Sequence, residues 1–171
     1  MTKTILFSLL TAAAVGAFVA VGAPSAHSSS PAPAAGSGVI RVESAYSEAE
    51  TIARIEKSVA DKGIHFFDDI DQTALAAGAG IGLRPSHLLI FGNPPLGIKF
   101  LTSNPYAGLD WPVRMLVTQD DDGRVWIAYT DFTWISHRYA IADRDADFKM
   151  ASEVAASIAA SAAPQKTAQI R

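Results

Sequence analysis

Arg114, Tyr129, Arg138 and Tyr139 have the chemistry to hold a polar ligand. An arginine fork matches the two oxygens of a carboxylate or phosphate, and a tyrosine offers a flat wall with a hydroxyl at its end. Asp110 and Asp131 lie close to both arginines in sequence. Ion pairs that fix loops are therefore an equally open reading of Arg114 and Arg138.

A second candidate lies upstream, in Phe91-Gly92-Asn93-Pro94-Pro95-Leu96-Gly97 with Lys99 just beyond. It imitates a phosphate loop, with an apolar run entering, a helical pattern leaving and two glycines five apart. The imitation is incomplete. Ile98 separates Gly97 from Lys99, no Ser or Thr follows Lys99, and Pro94 and Pro95 bring no N–H. What remains is a helix start at which Asn93 and the N–H groups of Leu96 and Gly97 can hold a small anion. The alternative is a rigid corner whose Asn93 caps the helix. Taken together, Asn93, Lys99, Arg114, Tyr129 and Arg138 are expected to line a pocket at the 92–97 corner, between sheet and helix.

Catalytic chemistry has thinner support. Asp68, Asp69 and Asp71 cluster at a strand end, and Asp71 with His137 or His65 can be written as an acid–base pair. A solvated strand end is the plainer account. His65, His87 and His137 are too dispersed for a local zinc motif. Two runs of alternating acids, at 143–147 and 118–123, imitate calcium loops but lack required ligands, and read as a helix start and a hairpin turn. Ser136-His137 has no nucleophile elbow around it. Nothing in the chain demands a metal or a cofactor.

The elements that must position these residues follow from patterning. Ser47, with Glu50 three residues on, is a capping box; Ile52, Ile55 and Val59 then share one helical face up to Gly63. Residues 64–70 alternate as a strand, and 71–80 form a short Ala-rich helix. Residues 86–92 are almost continuously apolar, which predicts a two-sided central strand. A helix is expected over 93–103, ended by Asn104-Pro105. Two β-runs at 113–119 and 124–130 flank Asp122-Gly123, a hairpin signal. A short helix at 132–139 and a long one starting in the acids of 143–147 complete the domain. Short connections and a clear hairpin indicate an α+β fold with an antiparallel sheet and helices packed on one face.

The chain has 171 residues and no cysteine, so one domain with appendages must rest on its core alone. Lys3 is followed by an apolar stretch over 5–22, and Ala26-His27-Ser28 places small residues at a cleavage site. We read 1–28 as a signal peptide and the protein as periplasmic or secreted, without membrane attachment after cleavage. The apolar run is close to the ~20 residues that span a bilayer, so a retained anchor is the rival reading. Residues 29–38 read as a flexible linker, 39–162 as the single domain and 163–171 as a disordered tail. The domain is acidic overall and has no Lys/Arg cluster, which argues against nucleic acid as a partner.

Residues 63–139 resemble the family called domain of unknown function 302. The carrying motifs are Asp69-Ile70-Asp71, Leu83-Arg84-Pro85, Leu89-Ile90-Phe91-Gly92-Asn93-Pro94 with Gly97, Gly108-Leu109-Asp110 before Pro112-Val113-Arg114, Gly123-Arg124-Val125-Trp126 with Tyr129, and His137-Arg138-Tyr139. The resemblance implies a TATA-binding-protein-like β-α-β(4)-α order, often as a dimer, and no established activity. Gln72 stands where many relatives carry His, and Ile98 where they carry Thr. The function expected is a non-catalytic module for a small anionic or polar ligand. The alternatives are a homodimeric interaction domain pairing through an edge strand at Val39–Glu43, and an enzyme using Asp71 with a histidine.

Overall fold

The computed structural model describes residues 32–164. The leader, the first residues of the linker and nearly all of the tail named above lie outside that range. Five strands form one antiparallel sheet: β1 (Val39–Glu43), β2 (His65–Asp71), β3 (Ser86–Gly92), β4 (Val113–Gln119) and β5 (Val125–Thr130), in the order β1-β5-β4-β3-β2. The helices are α1 (Glu48–Asp61), α2 (Gln72–Gly78), α3 (Pro94–Ser103), α4 (Phe132–Arg138) and α5 (Asp145–Ala160). With the short helices set aside, this is the β-α-β(4)-α order that the resemblance implies.

The two faces of the sheet differ. Leu89 and Phe91 on β3, Met115 and Val117 on β4, and Val125, Ile127 and Tyr129 on β5 alternate onto one face and are buried. There they share a core with Ile55 and Val59 of α1 and with Phe148, Ala151, Ala155 and Ile158 of α5. Each of the larger side chains contributes ~1.5–3 kcal/mol by leaving water. The alternate positions, Leu88, Ile90, Leu116, Trp126 and Ala128, face the other way and are half-buried. The expectation for β3 therefore holds in part: it is paired on both edges but, among the described residues, covered by helices on one face only.

Local chemistry sets the boundaries. Ser47 Oγ accepts from Glu50 N–H at 3.4 Å, so half of the expected capping box forms. The Glu50 carboxylate turns instead to Arg54, 2.8 Å away. Asp71 Oδ1 caps α2 through Ala74 N–H at 2.8 Å. In the β4–β5 hairpin the Asp120 carboxylate accepts from Trp126 Nε1, from Arg124 Nε and from the backbone N–H groups of Asp122 and Arg124. These donors hold Asp120 below the usual carboxylate range despite its burial, the Trp126 bond foremost. The acids of this turn thus answer the protein's own donors. One element escaped the sequence reading: a tight 3-10 turn at Pro105–Leu109, where Asn104 Oδ1 accepts from Tyr106 N–H at 3.0 Å. The end of the expected linker is also engaged, since Gly38 O accepts from Asp131 N–H at 2.7 Å.

Candidate functional site

The five residues expected at one pocket divide between two places. At the 92–97 corner, α3 begins as expected, yet Asn93 makes no side-chain cap and is exposed. Its carbonyl accepts from Leu96 N–H at 3.1 Å and from Gly97 N–H at 2.9 Å. The two donors assigned to an anion are therefore already used. The indole of Trp111 lies against Gly92 and Gly97, and a Cβ on Gly97 would overlap its ring. Beneath it is an apolar cavity of about 40 Å³, lined among others by Ile64, Leu96, Phe100 and Phe132. Lys99 leaves the corner and meets Asp147 of α5 at 2.8 Å. This corrects the expected anion cradle: the corner is a packing joint between β3, α3 and Trp111.

Arg114 and Arg138 do come together, on the uncovered face of the sheet. Arg114 leaves β4, and Arg138 ends α4. Both turn to Asp110: Arg114 Nη2 is 2.8 Å from Oδ1, and Arg138 Nη1 is 3.3 Å from Oδ2. Tyr139 donates its hydroxyl to Asp110 Oδ2 at 2.6 Å, and Arg114 Nη2 also donates to Leu109 O. The Asp110 side chain is 5% exposed, whereas those of Arg114 and Arg138 are 48% and 45% exposed. Burial, with the Asp110 bond and charge, pushes the Tyr139 phenol above its ordinary value and keeps it a donor.

These arginines border a shallow hollow of about 440 Å³ whose apolar floor is Val39, Leu88, Leu116 and Ala128, with Trp134 at the side. Arg138 lies 5.1 Å from the Trp134 ring centroid. Tyr129 also borders the hollow but is only 6% exposed and belongs to the core. Burial first, and the nearby charge of Asp131 second, raise its pKa. It thus serves as support, where a reachable wall was expected. Asp131 caps α4 through Thr133 N–H at 2.9 Å, and among the described residues Asp110 is the carboxylate that both arginines pair with.

The proposed acid–base pairing also changes partner. His137 is exposed on α4 and borders a surface hollow with α5, and His65 sits edge-on to Phe67. The histidine beside Asp71 is His87, on the helix-covered face of β3. His87 Nδ1 lies 2.9 Å from Asp69 Oδ1, and Nε2 lies 3.8 Å from Asp71 Oδ1 and 3.9 Å from Glu48 Oε1. Burial alone would lower the imidazole pKa. The Asp69 hydrogen bond and the charges of Asp69, Glu48 and Asp71 outweigh it and hold the pKa above 6.5. Burial raises the Glu48 carboxyl, His87 opposes this, and the two aspartates reinforce it. The antiparallel register, Asp69 opposite Leu89 and Asp71 opposite His87, creates this cluster, and nothing in the local sequence of His87 marks it. Among the described residues, no group of three or more His, Asp or Glu side chains is arranged to hold a metal ion.

A family model described as "Domain of unknown function DUF302" matches residues 40–163. Two curated relatives, both named "Fluoride-specific ion channel FluC 1", come from Brucella suis biovar 1 (strain 1330) and Brucella abortus biovar 1 (strain 9-941). Each is 39% identical over 105 residues, or 61% of this chain, and the match covers 41% and 39% of their own lengths. The chain thus spans about two-fifths of these relatives. Among the described residues no helix is long and apolar enough to cross a membrane. A crystal structure of an uncharacterized conserved DUF302 protein from Bacillus stearothermophilus superposes with a TM-score of 0.67 at 19% identity. It covers 74% of this chain and 98% of that one, a likeness of fold.

Proposed function

This chain belongs to the family described as Domain of unknown function DUF302, and within that family we propose that it is an exported, non-catalytic module that binds a small anion between Arg114 and Arg138. The observation supporting this reading is that two half-exposed guanidinium groups share one buried carboxylate, Asp110. One carboxylate leaves one positive charge in surplus and several N–H donors facing the hollow. Asp110 holds the forks in place before any ligand arrives, which reduces the ordering cost of binding. Export is read from the leader-like residues 1–28.

Titration calorimetry with benzoate, inorganic phosphate and fluoride tests the binding reading; fluoride is included because the curated relatives are named for it. At least one anion is expected to bind. Charge-assisted hydrogen bonds are each worth ~1.5–3 kcal/mol, so Arg138→Ala is expected to weaken that anion about tenfold or more. Arg138→Lys, which keeps the charge but loses the fork, should fall between. Thermal melting of each variant shows whether the fold survives. No binding by any of the three anions, or unchanged affinity in a folded Arg114→Ala/Arg138→Ala protein, would remove the site.

A second reading is pairing of two copies. Its support is that β1 forms one edge of the sheet and is bonded on one side only, to β5. Native mass spectrometry of exported protein reads subunit number and leader removal together.

A further inference from the structure

The hollow at Arg114 and Arg138 does not end at its floor. A second hollow of about 280 Å³ opens beside it on the same face of the sheet, and the two share Val39, Leu116 and Ala128. The shared floor joins them into one trough. It follows β4 from Arg114 to Thr118, and Leu83 and Trp126 stand at its far end. Four residues of antiparallel strand, at ~3.4 Å each, make it about 14 Å long.

We propose that this trough takes a free linear amphiphile, a monocarboxylate with an alkyl chain of about ten carbons. The carboxylate lies between Arg114 and Arg138, the chain lies on Leu88, Leu116 and Ala128, and its end meets Trp126. This inference rests on the anion-binding reading above and names the class of ligand for the same site.

The charge pattern selects this class. At one end two arginines share a single carboxylate, Asp110, and both border the hollow. At the other end Arg84 pairs with Asp121, and Arg124 pairs with Asp120 and Asp122. The remaining cation there, Arg41, lies over the Trp126 ring at 3.9 Å and turns that end into a flat stacked surface. Between the ends the floor is Leu88, Leu116, Ala128 and Val39, and Arg41, opposite Ala128 on β1, leans away from it onto the Trp126 ring. Short anions leave that apolar floor wet, and an alkyl chain covers it.

Calorimetry with acetate, hexanoate and decanoate, all kept below micelle-forming concentration, tests this. Each methylene laid on the floor is expected to tighten binding about two- to fourfold, as burial of a CH₂ does on a partly open surface. Decanoate should therefore bind at least tenfold tighter than hexanoate. Ala128→Phe, which fills the middle of the trough from the open face of the sheet, should abolish the chain-length dependence. Leu116→Asp provides a second block if the first variant fails to fold. Equal affinity for acetate and decanoate overturns the amphiphile and leaves the anion site standing. So does a chain-length dependence that persists in both folded block variants. Decanoate binding that survives Arg114→Ala/Arg138→Ala overturns the placement of the head group and the anion reading with it. Absence of binding by all three acids overturns the amphiphile, while the phosphate and fluoride titrations decide the anion reading separately.

Discussion

His87 shows how a single residue acquires chemistry from its surroundings. Glu48 reaches it from α1, Asp69 and Asp71 from β2, and its own strand adds no further charge within the cluster. Its folded pKa is raised, so protonation favours the folded state. That contribution is complete below pH 6.5 and is lost as the pH climbs through the raised folded value. Glu48 carries the same sign: its raised pKa contributes stability that is complete below pH 4.5 and lost above it. Urea unfolding at pH 5.5 and pH 8.5 should therefore find the protein less stable at the higher pH. His87→Gln should flatten most of that difference; a variant with the full wild-type slope would assign the pH dependence elsewhere. Among the ligand-site residues, Arg114 and Arg138 were legible because arginine near aspartate admits few roles. Their common partner was not, since Asp110 and Asp131 are equally available in sequence and only the turn at Pro105–Leu109 brings Asp110 to both.

At the scale of elements, α3 shows the limits of local rules. Its bounds follow from Asn93-Pro94-Pro95 and from Asn104-Pro105, and the helix occupies Pro94–Ser103 as read. Its first turn, however, faces Trp111 and is closed to solvent anions. Trp111 arrives from beyond α3 and the 3-10 turn, and no pattern within α3 announces it. Gly97 is thus required by the neighbouring indole, because the ring occupies the space of a side chain. Gly97→Ala is expected to destabilise the protein by about 1–3 kcal/mol, the usual cost of forcing extra volume into a packed site. Urea denaturation followed by tryptophan fluorescence measures it, and a change below about 0.5 kcal/mol would mean that the indole swings aside freely. The β4–β5 hairpin is the opposite case. Asp120 and Gly123 do what the sequence asks of a turn, with Gly123 at a φ of +79°.

At the scale of the whole fold, the decisive feature is a sheet that, among the described residues, carries helices on one face only. The covered face supplies the core, and the uncovered face carries the trough and the arginine pair. Edge strand β1 lies beside that trough, so pairing of two copies through β1 would extend the same face. Native mass spectrometry is expected to show a mass that begins near residue 28. A doubled mass would support the pairing reading, a single mass at high concentration would end it, and an intact N-terminus would overturn leader removal.

The β-α-β(4)-α order came with the family resemblance, whereas strand and helix positions, the hairpin and the antiparallel sheet could be read from the chain itself. They depend on periodicity, caps and turns, which act over a few residues. The partners of Arg114, Arg138, Lys99 and His87 could not be read. Each is set by register or by a crossing between elements far apart in sequence, and many carboxylates compete for every cation. The burial of Tyr129 and the closing of the α3 corner by Trp111 belong to the same class. Local composition limits which groups are available. Only the packed sheet, with one face covered and one open, decides which of them meet each other and which meet solvent.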